Sequence, residues 1–119
     1  MGDGIGHVSH LLLQTSDLNR LEAFYTDVIG FSVKKRERFG DDQPLVVMHE
    51  RLGLTEIPSA DASDDRVVEH VAFQIDDIDG LVESLHRHDV EIDDGPKSTS
   101  YGTSVYFFDP DGNRIECHD

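Results

Sequence analysis

Basic residues are scarce in this chain of 119 residues, which has 10 Lys and Arg against 25 Asp and Glu and a formal net charge of −15. The only lysines are Lys34, Lys35 and Lys97. Such a charge would be repelled by nucleic acids and by anionic membranes, so neither is expected as a partner. An excess of Asp over Glu with few Lys is typical of a salt-adapted organism, where screening weakens the self-repulsion. We therefore expect an acidic, halophilic protein.

Long apolar runs and cysteine pairs are also lacking. No stretch approaches the roughly 18 to 20 apolar residues of a membrane helix. Residues 1–7 have neither the basic start nor the apolar core of a secretion signal, so a cytoplasmic protein is expected. The single cysteine, Cys117, excludes an internal disulfide, and its place among apolar strand residues predicts a buried, unreactive thiol.

Residues 103–118 form the most informative stretch. Two apolar runs flank the sequence D-P-D-G at 109–112, where Pro fixes φ for a turn and Gly supplies a positive φ, so a β-hairpin is predicted. In its second strand, alternation places Arg114, Glu116 and His118 on one face, and Ile115 and Cys117 on the core face. Glu116 is then either a solvated sheet residue or a functional carboxylate, and the hairpin alone leaves both readings open.

The rest of the chain alternates between strand and helix patterns. Strands are predicted at 8–15, 31–39, 45–49, 51–57, 67–75 and 90–93. The first helix begins after a Ser16 or Asp17 cap and ends at Gly30, and the second begins after Asp76 or Asp77 and ends near 88–89. The small polar residues at 58–66 read as a linker, and 94–102 as a loop.

An internal repeat joins the two halves of the chain. Residues 10–21 align without gaps on 70–81, with identities at a constant offset of 60 residues: His10 and His70, Gln14 and Gln74, Asp17 and Asp77, Leu21 and Leu81. The apolar positions also agree in phase, which favours duplicated strand-helix-strand-strand-strand modules. Each module is too small to bury its own sheet face, so the two must pack side by side. One domain spanning 1–119 is expected, with modules at 5–58 and 67–119 and a linker at 59–66.

The repeat places His10 and His70 at equivalent points on the first strand of each module. A single strand histidine is usually structural. Two related histidines that face the same concavity as Glu116 form a set suited to Fe(II), Mn(II), Ni(II) or Zn(II), with coordination positions left open for a substrate.

Residues 10–31 (HLLLQTSDLNRLEAFYTDVIGF) and 107–116 (FFDPDGNRIE) resemble the vicinal oxygen chelate superfamily. That superfamily includes glyoxalase I, fosfomycin-resistance proteins, extradiol dioxygenases and bleomycin-resistance proteins. The resemblance implies an α+β fold of two tandem βαβββ modules that form a cupped, barrel-like mixed sheet with helices outside. It also implies one divalent transition metal held by His10, His70 and Glu116, and a homodimer that completes its cups across the interface.

No single branch of the superfamily is matched in full. Glyoxalase I has a fourth, carboxylate ligand on the last strand of its first module. In this chain, strand alternation over 51–57 places Gly53 at that position. Glu56 is the alternative ligand, although alternation places it on the same face as Leu52 and Leu54. The extradiol pattern is met by Tyr106, Asp109, Pro110, Gly112 and Glu116, but its acid-base His, expected near 97–99, is missing. The fosfomycin type has a Thr where this chain has Leu12, and a basic C-terminal extension that this chain lacks.

Several other residues are candidates for the site. Tyr106 either bonds a substrate or packs in the core, and Arg114 either anchors an anionic substrate or lies on the surface. Gln14 and Gln74 either line the cup or satisfy each other. The loop 94–102, with Lys97, Ser98 and Tyr101, is either a lid over the cup or only a mobile connection. The remaining histidines, His7, His49, His86, His88 and His118, are predicted to lie at the surface.

Two functions are consistent with these residues. The first is a metal-dependent enzyme of glyoxalase or dioxygenase type, either a lyase or isomerase or an extradiol-type dioxygenase, that acts on a small substrate with vicinal oxygens. The alternative is a small-molecule binding or sequestering protein of the bleomycin-resistance kind, in which the two histidines are structural.

Overall fold

The computed structural model describes residues 6–40, 42–57 and 68–119, so the linker predicted at 58–66 lies outside the described residues. The first module contains β1 (Leu11–Thr15), α1 (Leu18–Ala23) with a π-helical continuation (Phe24–Ile29), β2 (Val33–Phe39), β3 (Gln43–Met48) and β4 (Leu52–Glu56). The second contains β5 (Val71–Gln74), α2 (Ile78–Arg87), β6 (Ile92–Thr99), β7 (Gly102–Phe108) and β8 (Arg114–His118). Within these ranges no helix is long and apolar enough to cross a membrane.

Each module forms its own four-stranded mixed sheet, in the orders β1-β4-β3-β2 and β5-β8-β7-β6. The first and last strands of a module pair in parallel, and the other pairs are antiparallel. Leu12 pairs with Gly53 in the first sheet and Ala72 pairs with Glu116 in the second. Because Leu12 and Ala72 are repeat partners, Gly53 holds the position equivalent to Glu116, as predicted. The α+β fold of two βαβββ modules is confirmed.

Both helices begin at an aspartate. The Asp17 carboxylate accepts a hydrogen bond from the Arg20 N–H at 3.1 Å, and the Asp77 carboxylate accepts one from the Gly80 N–H at 2.9 Å. These bonds satisfy backbone donors that have no partner within the helix. The first helical stretch ends at Gly30, whose φ of +96° is easily adopted without a Cβ. The predicted helix starts and the predicted stop at Gly30 are therefore confirmed.

The core is shared by the two modules. From the first module, Phe24 approaches Phe107 with ring centroids 6.1 Å apart, and Phe31 approaches Phe73 at 4.9 Å. The hydroxyl of the buried Tyr25 donates to the Asp109 carboxylate in the β7–β8 turn at 2.7 Å. Contacts of this kind fix the C-terminal hairpin against the helix of the first module, as expected for modules that cannot bury their sheets alone.

The region 94–102 differs from the prediction of a loop. Strand β6 continues to Thr99 and pairs with β7, with register shifts between Ile92 and Asp94 and between Asp94 and Lys97. Gly95 and Pro96 lie inside the second irregularity, where a proline without an N–H does not break the ladder. The prediction of a loop is wrong for 94–99, since Lys97 and Ser98 are strand residues opposite Ser104 and Thr103.

Cys117 has no exposed surface, and burial raises the pKa of its thiol to about 12. At pH 8 we expect it to react with a thiol reagent such as dithionitrobenzoate about a thousandfold more slowly than an exposed cysteine, because only the thiolate reacts. The rate should rise about tenfold per pH unit without levelling below pH 11, and urea-unfolded protein should react at the ordinary rate. Fast reaction of the folded protein at pH 8 would contradict a buried thiol.

Candidate functional site

Glu116 lies in the middle of β8, on the face turned away from the core residues Ile115 and Cys117. Only 3% of its surface is exposed, which excludes the reading as a solvated sheet residue. The Ser104 hydroxyl donates to its Oε2 at 2.8 Å, and His70 Nε2 lies 3.1 Å from its Oε1. Burial of a carboxylate in this way is costly unless it is paired and hydrogen-bonded. The surrounding residues therefore hold Glu116 in one position.

His70 is placed between two carboxylates. Its Nδ1 lies 2.7 Å from Glu69 Oε1, and this hydrogen bond is the main reason that the pKa of Glu69 is lowered. If Nδ1 carries the proton donated to Glu69, Nε2 of the neutral ring is an acceptor that faces Glu116, another acceptor. Two acceptors 3.1 Å apart are stable together only with a proton on one of them or with a metal between them.

Tyr106 completes this face of the second sheet. Its ring meets His70 edge to face at 5.8 Å, and its hydroxyl is hydrogen-bonded to Glu116. Burial raises the pKa of Tyr106, and the Glu116 charge raises it further. The phenol is thus protonated at neutral pH and is a hydrogen-bond donor, not a base.

Two cations approach the Tyr106 ring. The Arg114 guanidinium lies 4.4 Å and the Lys97 ammonium 5.3 Å from its centroid. Arg114 also binds Glu69 at 3.0 Å and Asp93 at 3.2 Å, while Lys97 pairs with Asp94. Because both cations already have carboxylate partners, an anionic substrate at this point would compete with those acids.

His10, the ligand predicted from the first module, does not lie beside His70 and Glu116. His10 is exposed, its Nδ1 lies 3.0 Å from the Ser9 hydroxyl, and it lines a cavity of about 500 Å³ built entirely from the first module. In the described parts of the chain no three His, Cys, Asp or Glu side chains lie close enough together to hold a metal. A single chain therefore brings together His70 and Glu116 and leaves His10 apart from them.

The two glutamines are not joined either. Gln14 and Gln74 are both exposed, and no hydrogen bond connects them in the described ranges. Gln74 pairs with His118 in the second sheet and lines a groove beside α2, whereas Gln14 pairs with Thr55 in the first sheet.

Glu56 does not occupy the place of a fourth ligand. Its Oε1 accepts a hydrogen bond from the Leu18 N–H at 2.9 Å, so it caps the start of α1. Gly53, which has no side chain, stands at the ligand position of the first sheet. The alternative of a carboxylate ligand at Glu56 is wrong.

Two contributors to the site were not predicted from the sequence. Ser104 positions Glu116, and Glu69 positions His70. Ser104 does alternate with Tyr106 on β7, which was a usable signal, and Glu69 precedes His70 directly. Nothing in the sequence showed that the Glu69 carboxylate would turn towards the neighbouring ring.

Residues 5–117 match the family model described as Glyoxalase/Bleomycin resistance protein/Dioxygenase superfamily. The metallothiol transferase FosB of Staphylococcus epidermidis is 32% identical over 120 residues, covering 96% of this chain and 82% of FosB. The solved trypanothione-dependent glyoxalase I of Leishmania major has a TM-score of 0.78 and 27% identity, covering 96% of this chain and 86% of that one. A mutant of the fosfomycin resistance protein FosX from Listeria monocytogenes, complexed with Mn(II) and a dihydroxypropylphosphonic acid, has a TM-score of 0.71 and 26% identity, covering 96% and 90%.

Proposed function

Because this chain belongs to the glyoxalase/bleomycin resistance protein/dioxygenase superfamily, we propose that it is a divalent-metal-dependent enzyme acting on a small molecule with adjacent oxygen atoms. The proposed ligands are His10, His70 and Glu116, and the metal is Fe, Mn, Ni or Zn. The similarity to FosX, whose structure contains Mn(II), supports a metal of this class.

The observation that carries the proposal is the facing pair of His70 Nε2 and Glu116 Oε1, 3.1 Å apart. Glu69 holds the other ring nitrogen and Ser104 holds the other carboxylate oxygen, so the two remaining acceptors converge on one point. An imidazole oriented by a second carboxylate is a common arrangement around protein-bound metals. The donor set fits a divalent transition metal.

His10 is proposed to reach this point from a second copy of the chain. Within one chain the two sheets are separate, and His10 directly precedes β1 of the first while its repeat partner His70 directly precedes β5 of the second. A homodimer in which the first module of one copy faces the second module of the other would bring His10 to His70 and Glu116. Each dimer would then contain two equivalent sites.

A divalent metal at this point would supply a Lewis acid that stabilises negative charge developing on a substrate oxygen. Ser104 and Glu69 keep Glu116 and His70 in place while the substrate binds. The protonated hydroxyl of Tyr106 donates to Glu116, so it would reach a substrate oxygen only by exchanging that partner, and Arg114 above its ring adds positive charge beside it.

Metal content tests the proposal. After removal of metal with a chelator and reloading with Mn(II), the wild-type protein should hold about one metal per chain, measured by inductively coupled plasma mass spectrometry. His70→Ala should hold less than about a tenth, because it removes one of three ligands. His86→Ala, on the exposed surface of α2, is the matched control and should bind like wild type.

Wild-type protein with less than about a tenth of an equivalent after reloading would overturn the proposal. The alternative, a small-molecule binding or sequestering protein in which the His pair is structural, would then account for the fold shared with this superfamily. Equal metal content in His70→Ala and His86→Ala would remove His70 from the ligand set.

A further inference from the structure

We propose that the cavity of about 500 Å³ on the first sheet is a subsite for an anionic group of a small organic ligand, held by Lys34 and Arg51. The assignment of that ligand as the substrate rests on the proposed function, since His10 lines the same cavity. The anion binding itself does not depend on a metal.

The floor of the cavity is apolar because of Gly53. A Cβ at this position would lie 3.0 Å from Leu12 Cδ1 and 3.6 Å from Leu45 Cδ1, so a side chain here would fill the cavity. The second sheet has Glu116 at the equivalent register. The two sheets thus present different halves of a site, one with a carboxylate and the other with an apolar floor.

A β-bulge brings two lysines to this cavity. Val33 pairs with Met48 and Lys35 with the next residue, Val47, so Lys34 is an extra residue in β2. Regular alternation would turn neighbouring side chains to opposite faces, and a bulge removes that constraint. Both Lys34 and Lys35 accordingly line the cavity.

The charge of this pair is not fully neutralised. Lys35 is paired with Glu37 at 2.9 Å, but Lys34 forms no ion pair with any residue that the structure describes. Most described cations do have a carboxylate partner: Arg20, Lys35, Arg36, Arg38, Lys97 and Arg114. Lys34, Arg51 and Arg87 are the described exceptions. Two of these three line the cavity, in a chain whose net charge is −15.

Arg51 contacts an imidazole and a backbone N–H group. Its Nη1 lies 2.9 Å from His7 Nε2, and its carbonyl accepts a hydrogen bond from the Leu11 N–H at 3.0 Å. Its φ of +67° is unusual for a residue with a side chain and is found where the surrounding structure requires it. The guanidinium therefore lines the cavity without a carboxylate partner among the described residues.

The chemistry of the cavity defines the ligand class. Two cations without a carboxylate partner in the described ranges suit a phosphonate, phosphate monoester or carboxylate, since charge-assisted hydrogen bonds to such groups are strong. Leu12 and Leu45 suit a short carbon chain attached to the anion. In the proposed dimer, the adjacent oxygens of the same molecule would lie towards His10.

Methylphosphonate is a suitable probe, because ³¹P NMR detects it directly in a titration of Zn(II)-reloaded protein at constant ionic strength. We expect a saturable chemical-shift change in the wild type, and dissociation constants raised about tenfold or more in Lys34→Met and Arg51→Met. Arg87→Met is the matched control, because it removes an equally unpaired cation outside the cavity, and it should bind like wild type. Butyrate competing with the probe would show that carboxylates share the site.

Glu116→Gln separates this inference from the proposed function. This variant should lose metal but retain methylphosphonate binding. If the wild type binds methylphosphonate but holds no metal after reloading, the subsite is supported and the proposed metal-dependent enzyme is ruled out. Three results would overturn the subsite. The first is no saturable binding by the wild type, and the second is binding by Lys34→Met and Arg51→Met as tight as that of the wild type. The third is a loss of affinity in Arg87→Met as large as the loss in those two variants.

Discussion

Replacing Asp109 with alanine should lower the free energy of unfolding by about 3 to 5 kcal/mol. The carboxylate is buried and accepts hydrogen bonds from the Tyr25 hydroxyl at 2.7 Å, the Asn113 side chain at 2.8 Å, and the backbone N–H groups of Asp111 and Asn113 at 3.0 and 2.9 Å. Alanine would leave several of these donors without a partner in the protein interior. Tyr106 and Glu116 lie on the hairpin that contains Asp109, and the bond from Tyr25 to Asp109 ties this hairpin to the helix of the first module. The loss of that bond should therefore make the positions of Tyr106 and Glu116 less fixed.

Urea denaturation followed by circular dichroism measures this effect. Tyr25→Phe removes one donor and should cost about 1 to 3 kcal/mol, while Asp76→Ala, an exposed residue before α2, should change stability by less than about 0.5 kcal/mol. A loss below about 1 kcal/mol in Asp109→Ala would show that the modules are held together by apolar packing alone.

The module pattern was predictable because it depends on local signals. Alternation, helical spacing and the capping aspartates Asp17 and Asp77 act within a few residues, and the repeat made the two modules recognisable as copies. The far half of β6 was missed for the opposite reason. Gly95 and Pro96 have the composition of a loop, and only pairing with β7, together with register shifts, makes that segment a strand.

The site was predictable only in part. Strand phase placed Glu116 and Tyr106 on one face, and the repeat singled out His70, which the structure brings to Glu116. Equivalence within the repeat, however, does not imply contact: His10 and His70 directly precede strands that belong to separate sheets. The contributions of Ser104 and Glu69 depend on side-chain orientation. The placement of both Lys34 and Lys35 at the cavity of the first sheet depends on a β-bulge, which strand alternation does not predict.

The proposed intersubunit site predicts complementation between two inactive variants. His10→Ala lacks the ligand of the first module, and Glu116→Ala lacks a ligand of the second. In a dimer whose sites combine modules from different copies, a heterodimer of these two variants has one site with all three ligands and one site lacking two. If each site were built within one copy, both sites of the heterodimer would lack a ligand.

The direct measurement is the metal content of heterodimers carrying two different affinity tags, refolded together, purified through both tags and reloaded with Mn(II). We predict less than about a tenth of a metal per chain in either homodimer and about one metal per heterodimer of His10→Ala with Glu116→Ala. A heterodimer of His70→Ala with Glu116→Ala is the control and should stay empty, because both lesions lie in the second module. A metal-free His10→Ala/Glu116→Ala heterodimer, or full metal content in the His10→Ala homodimer, would contradict the intersubunit site.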